Sequence, residues 1–503
     1  MVACFPNTAE QEAVFDKIKS AIADNKRLLI FIQGSAGTGK TTFAKKVAAY
    51  VRSLGKICLG CAATGLAAQV YGEDEEYTTA HDLFGIPVVE DNEDLDHDAD
   101  IASHYLNNPE KLAILVAACV LIWDEALSNH KHCLATAFSL MNNFQGQILI
   151  LMGDWRQCPP VVLNGDMYEI VNASMIYSQF WKLFSIIKFT TNLRLLASAS
   201  DIDFNKQQHE YLTMLDMIGE GIEPTIATAR SVVDVYSENV ASDGSRVVAL
   251  PQLKTISETK EALNWLFPAG FNVDCMHNNA ILCSTNVIVD EWNSLIQELN
   301  ENPAHELRSE DKVQEIDDPH GYLQRMITES VLERFQRPGV PHHCLVLKKD
   351  DICMIMRNLN RKEGLTKNLR VKIVDIHPYI IRVCTLDPAT RKYYNIPRIR
   401  FSVSLPYGRS VKMERKQFPL RLAYSITYNK SQGQEFQKVL VDIRNNPFTH
   451  GHLYVALSRI RIAGNIRLFT VAPASTSISS IDGCVDPPVV INVVYDKLNL
   501  NKL

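Results

Sequence analysis

Gly34-Ser35-Ala36-Gly37-Thr38-Gly39-Lys40-Thr41 is a complete G-x-x-x-x-G-K-[ST] loop, and its flanks decide the fold around it. The apolar run Leu28-Leu29-Ile30-Phe31-Ile32 before it reads as a buried parallel strand. After it, Phe43, Val47, Tyr50, Val51 and Leu54 recur at helical spacing until Gly55 supplies a stop. Strand, glycine loop and helix in that order make a phosphate cradle. Glycines let backbone N–H groups curl around a polyphosphate, and the helix N-terminus adds partial positive charge. The pattern therefore predicts a nucleoside triphosphate site over Gly34, Ser35, Ala36, Gly37, Thr38, Gly39, Lys40 and Thr41. In it Lys40 reaches the β- and γ-phosphates and the Thr41 hydroxyl coordinates Mg²⁺.

Two further strand ends belong with that loop. Cys119-Val120-Leu121-Ile122-Trp123 reads as a buried strand ending in Asp124-Glu125. A carboxylate at the C-terminal edge of such a strand can hold the Mg²⁺ shell, and its neighbour can polarise the attacking water. Gln147 to Met152 reads as a third strand, leading into Gly153-Asp154-Trp155-Arg156-Gln157-Cys158-Pro159-Pro160. Gln157 at this edge is placed to sense the γ-phosphate or position water. Asn429-Lys430-Ser431-Gln432 lacks the aspartate of a guanine-reading N-K-x-D, so adenine is favoured. In the helix expected from Gly451, His452 and Arg459 lie seven apart on one face, beside the apolar Leu453, Ala456 and Leu457.

At 503 residues the chain is too long for one core, and about two to four domains are expected. A net charge of −6 announces no nucleic acid globally, yet a local basic channel is compatible with it. No stretch approaches a membrane span, and the N-terminus lacks a basic-then-apolar secretory pattern. The twelve cysteines are scattered through expected core strands, which suits a reducing compartment. Cys58 and Cys61 have C-x-x-C spacing but no second pair, and His130, His132 and Cys133 lack a fourth zinc ligand; core thiols and surface histidines are the reading.

Residues 1 to about 195 alternate strands and helices, as a parallel α/β unit does. The acidic run from Glu90 to Asp100 reads as a solvated loop. A second α/β unit restarts at Ala280-Ile281-Leu282-Cys283, and residues 344–416 break into short β-rich runs with turn signals. Basic residues gather there: Arg357, Arg361, Lys362, Lys367, Arg370, Lys372, Arg398, Arg400, Arg409, Lys412, Arg415 and Lys416. Interleaved with Tyr393, Tyr394 and Tyr407, they suit a groove that tracks a single strand and stacks its bases. The tail after Ala474 reads as peripheral.

The motifs together resemble the petite integration frequency (PIF) family of superfamily-one helicases, which unwind DNA 5′→3′. Gly153-Asp154-Trp155-Arg156-Gln157-Cys158-Pro159-Pro160 resembles that superfamily's third motif, and Asn7-Thr8-Ala9-Glu10-Gln11 its adenine-reading Q motif. Thr64-Gly65-Leu66-Ala67-Ala68 resembles motif Ia, and Thr79-Ala80-His81-Asp82-Leu83-Phe84 is similar to the T-x-H-S-x-F segment. Asn192-Leu193-Arg194 resembles motif IV, Lys430-Ser431-Gln432-Gly433-Gln434 motif V, and Tyr454-Val455-Ala456-Leu457-Ser458-Arg459 motif VI. Trp123 and the segment Gly364-Leu365-Thr366-Lys367-Asn368 look most like the helicase portions of Helitron transposons.

The resemblance implies two RecA-like motor domains, residues 1–195 and 196–343 with 417–503. It adds a wedge insertion at about 87–112 in the first and an SH3-like barrel, 344–416, in the second. It further implies ATP and Mg²⁺ as cofactors. Lys40, Asp124, Glu125, Gln157, Arg194 and Arg459 would act on the phosphates. Gln11, Gln432 and Gly433 would hold the nucleotide, and Thr41 and Asp124 the metal. Thr64, His81 and His452 would lie along single-stranded DNA within tailed or forked duplexes. The expected location is nuclear, with the mitochondrion as an alternative. Two other outcomes are a DNA-stimulated ATPase that remodels complexes without unwinding, and an inert mobile-element remnant. One departure stands out: where the family often has glycine after the Asn of G-L-x-N-G, this chain has Leu369, which leaves the turn there without its usual positive-φ residue.

Overall fold

The computed structural model describes residues 7–501 apart from 73–76, 88–100, 145, 163–164, 194–201, 223–243, 316–325, 361–362, 406–411 and 471–487. Most of the acidic insertion, Arg194, Arg361, Lys362, Tyr407 and Arg409 therefore lie outside the described residues.

The first sheet contains β1 (Leu28–Gly34), β2 (Cys58–Ala62), β3 (Thr78–Thr79), β4 (Val120–Asp124), β5 (Ile148–Gly153) and β6 (Ser185–Phe189). Its order is β3-β2-β4-β5-β1-β6, and every neighbouring pair is parallel. Such strands are covered on both faces, which is why they read as unbroken apolar runs. Ile30, Ile32, Ile122, Ile150 and Met152 face one layer, formed largely by α1 (Ala9–Ala23) and α2 (Lys40–Ser53). Phe31, Leu121, Trp123, Leu149 and Leu151 face the other, with Phe84, Phe138 and Trp181. Parallel pairing puts the C-terminal ends of β1, β4 and β5 at one edge, with β5 between the other two. The phosphate loop, Asp124-Glu125 and the Asp154–Gln157 loop all leave the sheet there.

A second parallel sheet has the order 425–427, 279–283, 438–442, 466–469, 255–256. The helix Ile202–Glu220 covers it through Tyr211, Met214, Leu215 and Ile218. Between its strands, residues 352–422 include an antiparallel five-stranded sheet around Cys353, Ile355, Val371, Ile373, Ile381, Val383, Ile396 and Leu420. Ala304–Arg308 pairs with Cys344–Lys348, and Glu310–Glu315 with Lys412–Gln417, beside this sheet. The turn at Asn368 keeps its positive φ without a following glycine. Asn368 itself takes φ 72° and Gly364 takes φ 83°, and asparagine tolerates that region better than most residues.

Two sequence expectations change here. The C-terminal tail is not peripheral where it is described: Val493, Val494, Tyr495, Leu498 and Leu500 are buried in the core of the first sheet. Just before them Val489–Val493 pairs with Ser245–Ala249, whose Val248 packs in the second core. Nor are all the clustered basic residues available to a strand. Arg370 is buried and donates to the carbonyls of Ala423, His277 and Asn279. Arg415 is 0% exposed; its guanidinium meets Asp311 at 2.8 Å and the Phe335, Pro341 and Leu332 carbonyls. Burial pushes the Asp311 carboxyl up, but hydrogen bonds from Arg415 and Ser309 outweigh that and hold it below its usual range. Lys367, Arg400, Lys412 and Tyr393 remain exposed.

Removing one partner of a buried pair strands the other charge. Arg415→Ala should therefore cost about 3–5 kcal/mol of stability, seen as a lower denaturant midpoint. A midpoint unchanged from the parent would show that the pair does not hold this region together.

Candidate active site

The phosphate loop is shaped by residues that leave its N–H groups free of side-chain caps. Gly37 and Gly39 take φ 91° and 77°, and α2 starts at Lys40 with no side-chain cap. A Cβ on Gly39 would stand 2.6 Å from Leu193 Cδ1, which would have to shift, and its positive φ favours glycine in any case. Thr38 Oγ1 turns back onto the Ser35 carbonyl at 2.9 Å. Lys40 Nζ donates to the carbonyls of Gly34 and Ser35, the latter at 3.2 Å, which holds the ammonium against the loop that a phosphate would fill.

Gln11 braces this loop. Its Oε1 accepts from Thr8 N–H at 3.2 Å in a capping box, and its Nε2 donates to Thr38 O at 3.1 Å. In this arrangement both ends of its amide are engaged, a role that its resemblance to an adenine reader did not suggest. Leu193 N–H donates to Gly37 O at 3.0 Å and Asn192 Nδ2 to Ala36 O at 3.4 Å, so the segment leading to Arg194 is fastened to the loop.

Asp124 is buried, and its Oδ1 accepts the Glu125 N–H at 2.9 Å. Its Oδ2 accepts the Tyr71 hydroxyl at 2.6 Å. Thr41 stands in the first turn of α2 and Asp124 at the end of β4. A hydroxyl and a carboxylate are hard oxygen donors, the set that suits Mg²⁺ held beside substrate phosphates. Glu125 takes left-handed φ 49°, a conformation that costs energy for a residue with a Cβ. Burial, then the Asp124 charge, push its carboxyl up to about 7, while Lys40 and Arg459 pull the other way. That balance places a cation from each sheet within the electrostatic reach of Glu125.

Gln157 is buried, with its backbone N–H on Asp154 O at 3.1 Å. Its Oε1 has no hydrogen-bond partner among the described residues. An orphaned buried acceptor beside a phosphate loop fits a water or a protonated ligand atom. Arg459 is buried too, with Nε on Val455 O at 2.9 Å and Nη2 on Ser458 Oγ at 2.7 Å. Gln432 Nε2 reaches Cys158 O at 3.4 Å, and Gly433 lies against Ala67.

The contacts that draw the second sheet onto this edge were invisible in the sequence. Tyr454 donates its hydroxyl to Asp154 Oδ2 at 2.6 Å, and Gln33 Nε2 donates to Asp154 Oδ1 at 2.9 Å. Arg156 bonds both Asp154 and Asp216, the latter at 2.6 Å. His450 is fixed in one tautomer. The Tyr495 N–H donates to its Nδ1 at 2.9 Å, so Nε2 carries the proton and donates to Trp155 O at 2.8 Å. A Cβ on Gly451 would lie 2.5 Å from Arg156 O, which explains glycine at that crossing.

The proposed strand-facing residues fare differently. Thr64 caps α3 (Gly65–Gln69), its Oγ1 accepting from Ala67 N–H at 3.2 Å. His81 lies on the short helix Ala80–Leu83, 3.9 Å from Cys133 Sγ. His452 is 2% exposed, packed by Phe448 and Tyr428, with one ring nitrogen 3.1 Å from Asn429 Oδ1. Burial, then the neighbouring His450, push its imidazole down to about 3. A side chain so enclosed does not touch a strand in this arrangement. Sequence pattern places a residue on a helix face but does not say which body covers that face.

Residues 7–228 match the family model for PIF1-like helicases. Over that span the chain is similar to the family. It is 26% identical to the ATP-dependent DNA helicase RRM3 of Saccharomyces cerevisiae, over 93% of this chain and 65% of that one. It is 24% identical to the ATP-dependent DNA helicase PIF1 of Candida albicans, over 90% of this chain and 52% of that one. It thus spans between half and two thirds of the length of these two relatives. Among solved structures, Bacteroides Pif1 in complex with ADP-AlF3 and ssDNA shares its fold, at TM-score 0.58 and 21% identity, with 92% of each chain covered. Among the described residues, no helix is long and apolar enough to cross a membrane.

Proposed function

We propose that the chain is an ATP-dependent DNA helicase that moves 5′→3′ along single-stranded DNA and opens tailed or forked duplexes. The observation that carries this reading is the meeting at one edge of Lys40, Thr41, Asp124, Glu125 and Gln157 with Arg459 and Gln432 from the other sheet. One cleft would then bind ATP between two motor domains, residues 1–195 and 196–343 with 417–503, with 344–416 as the SH3-like insertion. Thr41 and Asp124 would hold Mg²⁺, which neutralises phosphate charge when bound. Glu125 would take the proton of the attacking water, and Gln157 would orient that water. Arg459, assisted by Arg194, would turn from its helix carbonyl to the γ-phosphate, a contribution of ~10³–10⁵ in rate.

The Bacteroides relative, crystallised with ADP-AlF3 and ssDNA, supports these ligand classes for this chain. Thr64, His81 and the exposed basic residues near Lys367 would line the strand. Repair, recombination, telomere maintenance or transposition in the nucleus is the setting we propose, with the Helitron-like branch resting on Trp123 and residues 364–368.

Duplexes with a 5′ or a 3′ single-stranded tail test the direction. The 5′-tailed substrate should open and the 3′-tailed one should not. Equal opening of both would refute the polarity and leave the motor standing. Strong DNA-stimulated hydrolysis with no opening from either tail would favour remodelling without unwinding.

A further inference from the structure

Tyr71 belongs to none of the segments that carry the family resemblance, yet its hydroxyl bonds the carboxylate expected to hold Mg²⁺. It is 2% exposed, two residues beyond α3. Its ring stacks on Tyr77 at 3.7 Å between centroids and 3° between planes. Gly60 makes room for that stack, because a Cβ there would meet the Tyr77 ring at 2.2 Å. Lys45 Nζ lies 5.8 Å from the Tyr71 ring centroid and bonds Val70 O at 3.1 Å. The ring is therefore clamped, and the hydroxyl has one place to point.

At that place it donates to Asp124 Oδ2 at 2.6 Å. A phenol donating to a carboxylate is a charge-assisted bond, shorter and stronger than a neutral one. With Oδ1 taken by the Glu125 N–H, the bond from Tyr71 fixes the carboxylate's rotation and leaves its remaining lone pairs in set directions.

We infer that Tyr71 is a positioning residue that orients Asp124 for Mg²⁺. The inference rests on the nucleotide-site reading above. The segment also links outward: Gln69 Nε2 donates to the Gly364 carbonyl and to Thr366 Oγ1 at 2.9 Å, across to the antiparallel region. Metal-site geometry is thus built on the same short stretch that touches the insertion.

The test uses the full chain and titrates MgCl₂ at fixed ADP, reading ADP affinity calorimetrically. Tyr71→Phe keeps the ring and removes the hydroxyl. It should raise the Mg²⁺ concentration for half-maximal tightening of ADP about tenfold, the usual effect of losing a partner that orients a metal ligand. ADP affinity in EDTA and the thermal midpoint should stay near parental values. Tyr77→Phe, which removes a phenol one ring away, should leave the Mg²⁺ midpoint unchanged. An unmoved midpoint in Tyr71→Phe would overturn the inference, and a lowered one would show that the hydroxyl obstructs the metal. An equal shift in Tyr77→Phe would assign the effect to ring packing. If parental protein bound ADP with no dependence on Mg²⁺, the nucleotide-site reading itself would fall, and this inference with it.

Discussion

Lys40→Ala should reduce DNA-stimulated ATP hydrolysis by about three orders of magnitude and leave the fold intact. Among the described residues, the ammonium hydrogen-bonds the Gly34 and Ser35 carbonyls of its own loop and no side chain. Its removal should therefore cost the structure little. For the reaction it removes the cation nearest the transferred phosphoryl group, in a site where α2 supplies the remaining positive potential. Circular dichroism and the thermal midpoint would confirm that the variant is folded before turnover is compared. A folded Lys40→Ala protein hydrolysing ATP near the parental rate would mean that the phosphate loop is not the catalytic one.

Glu125→Gln should separate binding from turnover. Glutamine keeps the shape and the left-handed backbone of Glu125 but cannot take a proton, so the rate should fall by about 10²–10⁴ while ATP is retained. ATP affinity falling in step with the rate would instead make Glu125 a binding residue. The parent should also show kcat/KM declining as pH drops through about 7, because the base form is lost there. The same shift acts on stability in the opposite sense. The folded carboxyl holds its proton up to about 7, above its unfolded value of 4.5, so the parent loses stability as pH rises through that window. Glu125→Gln should be relatively more stable above pH 7, and urea denaturation at pH 5 and 8 would measure it.

What was legible in the sequence was local. Buried parallel strands announce themselves as short apolar runs, so β1, β4 and β5 could be read, and with them the placement of Lys40, Asp124, Glu125 and Gln157 at one sheet edge. What was hidden depends on partners far along the chain. Arg415 looks like a surface charge until Asp311, 104 residues away, is brought against it. Tyr71 meets Asp124 across 53 residues, and Tyr454 meets Asp154 across 300. His452 sits on a face that pattern marks as functional, but the packing of Phe448 and Tyr428 closes it. The positive φ at Asn368 was masked by a rule about glycine, although asparagine adopts the same backbone at modest cost.

The burial of Val493 to Leu500 in the first core, just after Val489–Val493 pairs with Ser245–Ala249, has a mechanical consequence. The C-terminal segment thus links the two halves again, beside the connection that follows β6 (Ser185–Phe189). A body attached at one point swings in any direction, whereas a body attached at two points turns only about the line between them. Any opening of the cleft would be restricted by that second attachment. Free energy released at the phosphates would then have fewer motions among which to dissipate.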